Sequence, residues 1–279
     1  MAAVLARRAV GALSRPVDAV AQARRALSVV VLLYHRVGGR SQSPIDLPLA
    51  TFARQLDQLA EAERVVDLDI GAGLLAACSE PTHTAPKVVL SFDDGTADWP
   101  DVVLPALVER GLPATFYVST SFVDGGSPFP DGGRPVSWAG LADMAASGFA
   151  SIGSHTHTHR VLAGASAPDA ADEIARSVGL LEERLGRPCH HFAYPKAIAP
   201  SPAAEVVVRR HFMTAALAGN ILNVAGATDL HRLGRHALTV ADDDASFRRK
   251  TDGGMRLEGW LRAHRDATVA RTRAAIAST

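Results

Sequence analysis

Short runs of β-branched and aliphatic residues recur along this chain with helical patterns between them, and that alternation restricts the fold more than any other feature. Val29 to Tyr34 is an unbroken apolar run that reads as a buried strand ending at His35-Arg36. Val65 to Leu68, Lys87 to Phe92, Ala114 to Val118, a short segment closing at Ile152, His190 to Tyr194 and Met213 to Leu217 read as further strands. Helical patterns separate them. Thr51 caps one in which Phe52, Leu56 and Leu59 share a face; another runs from Pro100 through Val102 to Leu107 and stops at Gly111-Leu112-Pro113. Ser137 caps a third that buries Trp138, Leu141 and Met144 and ends at Gly148, and Asp169 to Leu185 and Ala203 to Phe212 supply two more. Strands joined through helices pair in parallel, so the class is α/β, either an open doubly wound sheet or a closed barrel. About seven βα units without a glycine-rich nucleotide fingerprint favour the barrel.

A chain of 279 residues with 47% hydrophobic and 21% charged content buries a full core, and no low-complexity linker divides it. The expected organisation is an alanine- and arginine-rich extension over 1–28, one large domain over 29–240, and C-terminal helices over 241–279. With 29 basic and 29 acidic side chains, no global field attracts nucleic acid or a polyanion. Cys78 and Cys189 form no CxxC pattern, so a metal would be held by nitrogen and oxygen. Arg7, Arg8, Arg15, Arg24 and Arg25 interrupt what would be the apolar core of a secretory signal, and no run reaches the roughly 18 apolar residues of a membrane span. The expectation is a cytoplasmic protein without a transmembrane segment, with peripheral membrane contact through the N-terminal extension as the alternative.

In βα folds reactive groups gather at the C-terminal ends of strands. Two motifs fall there. Ser91-Phe92-Asp93-Asp94-Gly95 delivers adjacent carboxylates to a glycine turn, which lets both reach one cavity. One can bind a divalent ion while the other takes a proton from water that the ion has acidified; Asp-Asp-Gly also suits an ordinary solvated turn. Downstream, Ser154-His155-Thr156-His157-Thr158-His159 places His155 and His159 four apart, on one face if the segment is a helical turn; as a strand, all three histidines would share a face. A site of two histidines and one carboxylate leaves positions open for water and substrate, which is the catalytic type.

These residues resemble the polysaccharide deacetylase family, also called the NodB-homology domain or carbohydrate esterase family four. Its first motif, T/S-F-D-D-G, matches Ser91 to Gly95, and its second, H-S/T-x-x-H, matches His155 to His159. Leu32-Leu33-Tyr34-His35-Arg36-Val37, Phe192-Ala193-Tyr194-Pro195 and Arg232-Leu233-Gly234-Arg235 are similar to one bacterial branch, so the resemblance covers about Val29 to Val240. It implies a distorted (β/α)7 barrel that removes acetyl from an N-acetylated sugar, less often an O-acetyl ester, of a polysaccharide, oligosaccharide or glycolipid. By that resemblance Asp93 is the general base, and Asp94, His155 and His159 hold the metal, zinc first, with cobalt, nickel or iron also suiting the donor set.

The same resemblance places the oxyanion and substrate contacts at Tyr194, Pro195 and the backbone N–H of Lys196, and the general acid at His236, from the final L-x-x-H pattern. The third motif departs from the family's R-x-P-Y-G: Ala193 stands at the arginine position, Lys196 at the tyrosine and Ala197 at the glycine. Arg232 and Arg235 are the two candidates to orient the base instead. Thr156 and Thr158 are candidates to fix the histidine loop by hydrogen bonds. His35 ends the first strand and is a further site candidate; Trp99 and Trp138 are candidates for a sugar-stacking face, with the 124–135 loop shaping a groove. Two other functions fit parts of the pattern: a degenerate barrel kept for sugar binding, and a non-haem iron oxygenase built on the two-histidine, one-carboxylate triad.

Overall fold

The computed structural model describes residues 26–77, 84–129 and 132–255. Most of the N-terminal extension, Cys78 and the last helix expected in the tail lie outside the described residues. Seven parallel strands form the frame: β1 (Ser28–Tyr34), β2 (Lys87–Asp94), β3 (Ala114–Val118), β4 (Ala150–Ser154), β5 (His191–Ala193), β6 (Thr214–Ala216) and β7 (Arg235–Ala237). Their order is β7-β1-β2-β3-β4-β5-β6, and Asn223–Val224 adds an antiparallel pair at the start of β1. The sheet curls until its two outer strands meet. Closure is a single parallel bridge, Ala216 with Leu233, in which the Leu233 N–H donates to the Ala215 carbonyl (2.9 Å) and the Leu233 carbonyl accepts from the Leu217 N–H (2.8 Å). The expected distorted (β/α)7 barrel is the fold that forms, and its distortion sits at this seam.

Alternation along the strands sorts the core into two. Val30, Leu32 and Tyr34 of β1, Val88, Leu90 and Phe92 of β2 and Phe116 of β3 face the helices and join the larger cluster. Val29, Val31, Val89, Tyr117, Ala193 and Ala216, of the other parity, join Leu233 and the residues Leu68 and Leu75 in a smaller cluster. The second cluster is of the parity that points away from the larger helix-covered layer, so it fills the barrel.

Eight α-helices lie among the described residues: α1 (Leu49–Ala62), α2 (Leu68–Ala76), α3 (Leu104–Glu109), α4 (Thr120–Gly125), α5 (Trp138–Ala146), α6 (Ala167–Leu185), α7 (Pro202–His211) and α8 (Asp244–Thr251). Three expectations change. Helix α1 starts after Pro48, so Thr51 lies within its first turn rather than capping it. Val65 to Leu68 is not a strand: Val65 makes one bridge with Val88, and the Asp67 carboxylate accepts the Ile70 N–H at 2.7 Å, capping α2. The cap overrides the β-branched pair. Ser137 does cap α5 by accepting from Gly140, but Trp138 is only half-buried there. Beyond β7, a buried Lys250–Asp242 pair (2.7 Å) and a bond from Lys250 Nζ to the Ala237 carbonyl (2.6 Å) tie α8 to the barrel.

Candidate active site

The strand ends bring both sequence motifs together. Asp93 continues the inward parity of Val89 and Ser91 and is buried at the mouth of the barrel. Asp94, next in line, would point outward in a regular strand. Its φ of 88°, followed by 107° at Gly95, turns it back to the same side. Asp is among the few non-glycine residues that visit this region at modest cost.

His155 follows the last residue of β4. Its Nδ1 lies 2.7 Å from the Ala193 carbonyl at the end of β5, and Ser119 Oγ donates to its own carbonyl at 3.0 Å. A carbonyl only accepts, so Nδ1 donates there and Nε2 is the ring nitrogen turned toward the carboxylates. Nε2 stands 3.7 Å from an oxygen of Asp93 and 3.7 Å from Asp94 Oδ1. His159 Nε2 is 3.5 Å from that same Asp94 oxygen. Burial first, then the neighbouring His155, pulls the His159 imidazole down to about 4, so it is neutral at neutral pH and able to ligate.

Neither the helical turn nor the strand considered for His155 to His159 forms. The loop instead crosses left-handed backbone at Thr156 (φ 64°) and at His159 itself (φ 60°), and this fold of the chain is what aims both rings at Asp94.

Asp94, His155 and His159 each offer a ligand atom within 4.8 Å of the others. Metal–ligand bonds of about 2.1 Å in tetrahedral geometry put donors roughly 3.4 Å apart, close to the Nε2–Oδ1 separations here. The donor chemistry, the fixed tautomer of His155 and the neutral His159 all fit a divalent ion.

Asp93 has a different partner. Arg235 of β7 grips it with two parallel hydrogen bonds, Nη1 to Oδ1 at 2.6 Å and Nη2 to Oδ2 at 2.7 Å. Arg235 is fully buried, donates from Nε to the Leu217 carbonyl at 2.7 Å and stacks 5.5 Å from the Tyr117 ring centre. Burial pushes the Asp93 carboxyl up, but Arg235, with help from His155 and His35, more than offsets it and brings it down to about 2. Of the two arginine candidates, only Arg235 reaches the base. Arg232 lies outside the barrel wall and pairs with Glu205 on α7 (2.9 Å from Nε). The arginine absent at Ala193 is thus supplied from a different strand.

The remaining candidates separate. His236 does not reach the carboxylates: adjacent side chains on β7 alternate, so with Arg235 inward His236 faces outward, its Nε2 3.2 Å from the Gly254 carbonyl. Tyr194 turns its ring away from the site too, packing on Phe192 in the outer core. Pro195 and Lys196 open a tight turn after β5, with left-handed backbone at Lys196 (φ 55°) and Ala197 (φ 54°). The Lys196 side chain is exposed, and its charge adds to the downward pull on His159.

His35 stands at the end of β1, beside the end of β2, close enough for its charge to act on Asp93, and its Nδ1 is buried with no hydrogen-bond partner among the described residues. Trp99 is not a sugar platform: it is fully buried against Phe92 and Phe116, with Nε1 donating to the His35 carbonyl at 3.0 Å. Trp138 lies over by Asp124 and Arg184 instead. Thr158 does anchor the histidine loop, through Glu173 of α6, whereas the buried Thr156 hydroxyl finds no partner among the described residues. Glu173 was missed from sequence, although an acid in the buried register of Ala170, Ile174, Ser177 and Leu181 is a readable anomaly.

Comparison with known proteins agrees with this geometry. The family model described as polysaccharide deacetylase matches residues 80–213, a span holding both motifs but neither His35 nor Arg235. Among solved structures, the deacetylase PplD of Streptococcus pyogenes superposes with a TM-score of 0.70 at 19% identity, covering 81% of this chain and 99% of that one. IcaB from Ammonifex degensii gives 0.67 at 26% identity, covering 81% and 97%. A de-N-acetylase from Aggregatibacter actinomycetemcomitans gives 0.65 at 20%, covering 80% and 99%. No curated protein matches the sequence. No helix among the described residues is long and apolar enough to cross a membrane. The segment that carries the two motifs is thus similar to the polysaccharide deacetylase family, and the barrel that presents them has the fold of solved deacetylases.

Proposed function

We propose that the protein is a metal-dependent hydrolase that removes acetyl groups from N-acetylated sugars of a polysaccharide, oligosaccharide or glycolipid, with O-acetyl sugars as the lesser substrates. The observation that carries this reading is the convergence of Asp94, His155 and His159 on one point, with the arginine-held Asp93 3.7 Å from His155. A divalent ion held by Asp94, His155 and His159, zinc first, would supply Lewis-acid polarisation of the acetyl carbonyl and a more acidic water.

The chain's own groups divide the rest of the work. Asp93 accepts the proton of the attacking water. A carboxylate offers about four acceptor sites, so the two bonds to Arg235 leave capacity on Oδ2, the oxygen that faces His155. Arg235 fixes the direction of that oxygen and keeps the carboxylate ionised. The Lys196 N–H is the donor for the developing oxyanion, a role supported by its place one turn beyond Ala193, the residue that orients His155. Collapse of the tetrahedral species needs a proton on the departing nitrogen, since an amide anion leaves too poorly. His35 is the donor in this reading, because it ends the strand beside Asp93, near enough to act on that carboxylate electrostatically, while His236 faces Gly254.

The test is acetate release. Zinc-loaded protein is incubated with a panel of N- and O-acetylated glycans, with a chelated control and an oxygen electrode in parallel. Acetate formation that chelation stops, without oxygen uptake, supports the deacetylase. Sugar affinity without turnover under zinc, cobalt, nickel and iron would establish a binding barrel instead, and oxygen consumption an oxygenase.

A further inference from the structure

Glu173 lies in the middle of α6, on the face that packs against the barrel, and is 6% exposed. No cation among the described residues pairs with it. Both of its oxygens are instead taken by one residue: Thr158 donates its backbone N–H to Oε2 at 2.8 Å and its hydroxyl to Oε1 at 2.7 Å. Thr158 immediately precedes His159. A carboxylate buried without a countercharge costs several kcal/mol of desolvation, so its presence on a face whose other buried residues are uncharged calls for a specific use.

The loop it holds is under strain. Thr156 is β-branched and sits at φ 64°, a true outlier for such a residue, and His159 is at φ 60°. Backbone of this kind persists only where its surroundings over-determine it, each such residue costing about 1–3 kcal/mol. Several contacts hold the first half of the loop: His155 is tied to Ala193, Ser119 and Val118, the His157 carbonyl accepts from the Ser121 N–H at 2.9 Å, and His157 Nδ1 lies 3.0 Å from Thr120 Oγ1. The second half, which carries His159, is held by Glu173.

We propose that Glu173 is the positioning residue of the candidate metal centre: its two hydrogen bonds to Thr158 lock the left-handed turn that aims His159 at Asp94. The role rests on the metal-site reading above and deepens it. It acts through hydrogen-bond geometry. A glutamine at 173 preserves it, since the amide oxygen accepts the Thr158 N–H while the amide nitrogen donates to the Thr158 hydroxyl.

Zinc titration of the metal-free protein against a competing chromophoric chelator, with the visible spectrum of the cobalt form and thermal melting of the metal-free form alongside, tests it. Glu173→Ala is expected to weaken zinc binding roughly 10- to 100-fold and to alter the cobalt bands, as loss of an outer partner does in known metal sites. Glu173→Gln is expected to stay within about threefold of the unaltered protein, keeping donor and acceptor. Ile174→Ala, a cavity in the same helix face that removes no hydrogen bond to Thr158, is the control for mere loosening of α6: it is expected to lower the melting temperature yet leave zinc affinity intact. Unchanged affinity in Glu173→Ala, or an equal loss in Ile174→Ala, overturns the proposal, and a Gln variant as weak as the Ala variant overturns the hydrogen-bond basis. Failure of the unaltered protein to bind zinc would remove the metal centre itself, and this role with it.

Discussion

Arg235 and Asp93, 142 residues apart in sequence, form a buried two-pronged ion pair at 2.6 and 2.7 Å at the mouth of the barrel. The pair bridges β7 and β2 across β1, which lies between them in the sheet. Replacing Arg235 with Met leaves a buried carboxylate without its countercharge, so both catalysis and stability suffer. The expected outcome is a loss of about 3–5 kcal/mol in urea denaturation. A deacetylation rate lower by roughly 10²-fold or more is expected with it, since the base both loses its orientation and gains a proton more easily. Arg235→Lys, which cannot make the parallel pair, is expected to recover part of the stability and little of the rate. A rate equal to that of the unaltered protein in either variant would remove Arg235 from the machinery.

Asp93 and Asp94 are neighbours with different partners, and their substitutions are expected to behave differently. Asp93→Asn should abolish hydrolysis while zinc still binds, whereas His159→Ala should lose both, measured by acetate release and by metal titration of the same preparations. Equal metal loss in the two variants would contradict the division of roles.

The two imidazoles proposed as proton donors are distinguished by which way they face. His35→Ala is expected to lower kcat by roughly 10²-fold or more, with a smaller effect on an O-acetyl substrate, whose alkoxide leaves more readily than an amide anion. His236→Ala is expected to leave kcat near that of the unaltered protein and to cost stability, because its ring fills space beneath Gly254. The reverse pattern would restore His236 as the acid.

Acid sensitivity has a source away from the active site. The Arg232 hydrogen bond foremost, with Arg209, brings the Glu205 carboxyl from 4.5 to about 2 against the opposing effect of burial. Because the folded value lies below the unfolded one, the stabilisation is present above about pH 4.5 and is lost as pH falls toward about 2. Glu205→Gln is expected to lower stability by roughly 1 kcal/mol or less at pH 7, the range for exposed pairs, and to flatten the acid limb of the denaturation curve. An unchanged acid limb would show that the network contributes nothing to it.

Six of the seven frame strands and the metal donors were legible in the sequence because both are local; β7, only three residues long, was not. A strand announces itself by its own β-branched run, and Asp93-Asp94-Gly95 and His155 to His159 are short enough for the strand ends alone to bring them to one side. The strand assigned to Val65 failed for an equally local reason, the capping carboxylate of Asp67 two residues on.

What the sequence left open was decided by contacts between distant segments. Arg232, Arg235 and His236 are within five residues, and no local signal says which one faces the base; the inward parity of β7, fixed by its register with β1, selects Arg235 and turns His236 outward. The loop between His155 and His159 likewise takes its left-handed course from Glu173, Thr120 and Ser121 on helices that pack around it. Residue type and spacing determine which atoms are available for chemistry. Only closure of the barrel, by setting each strand's parity, decides which of them meet.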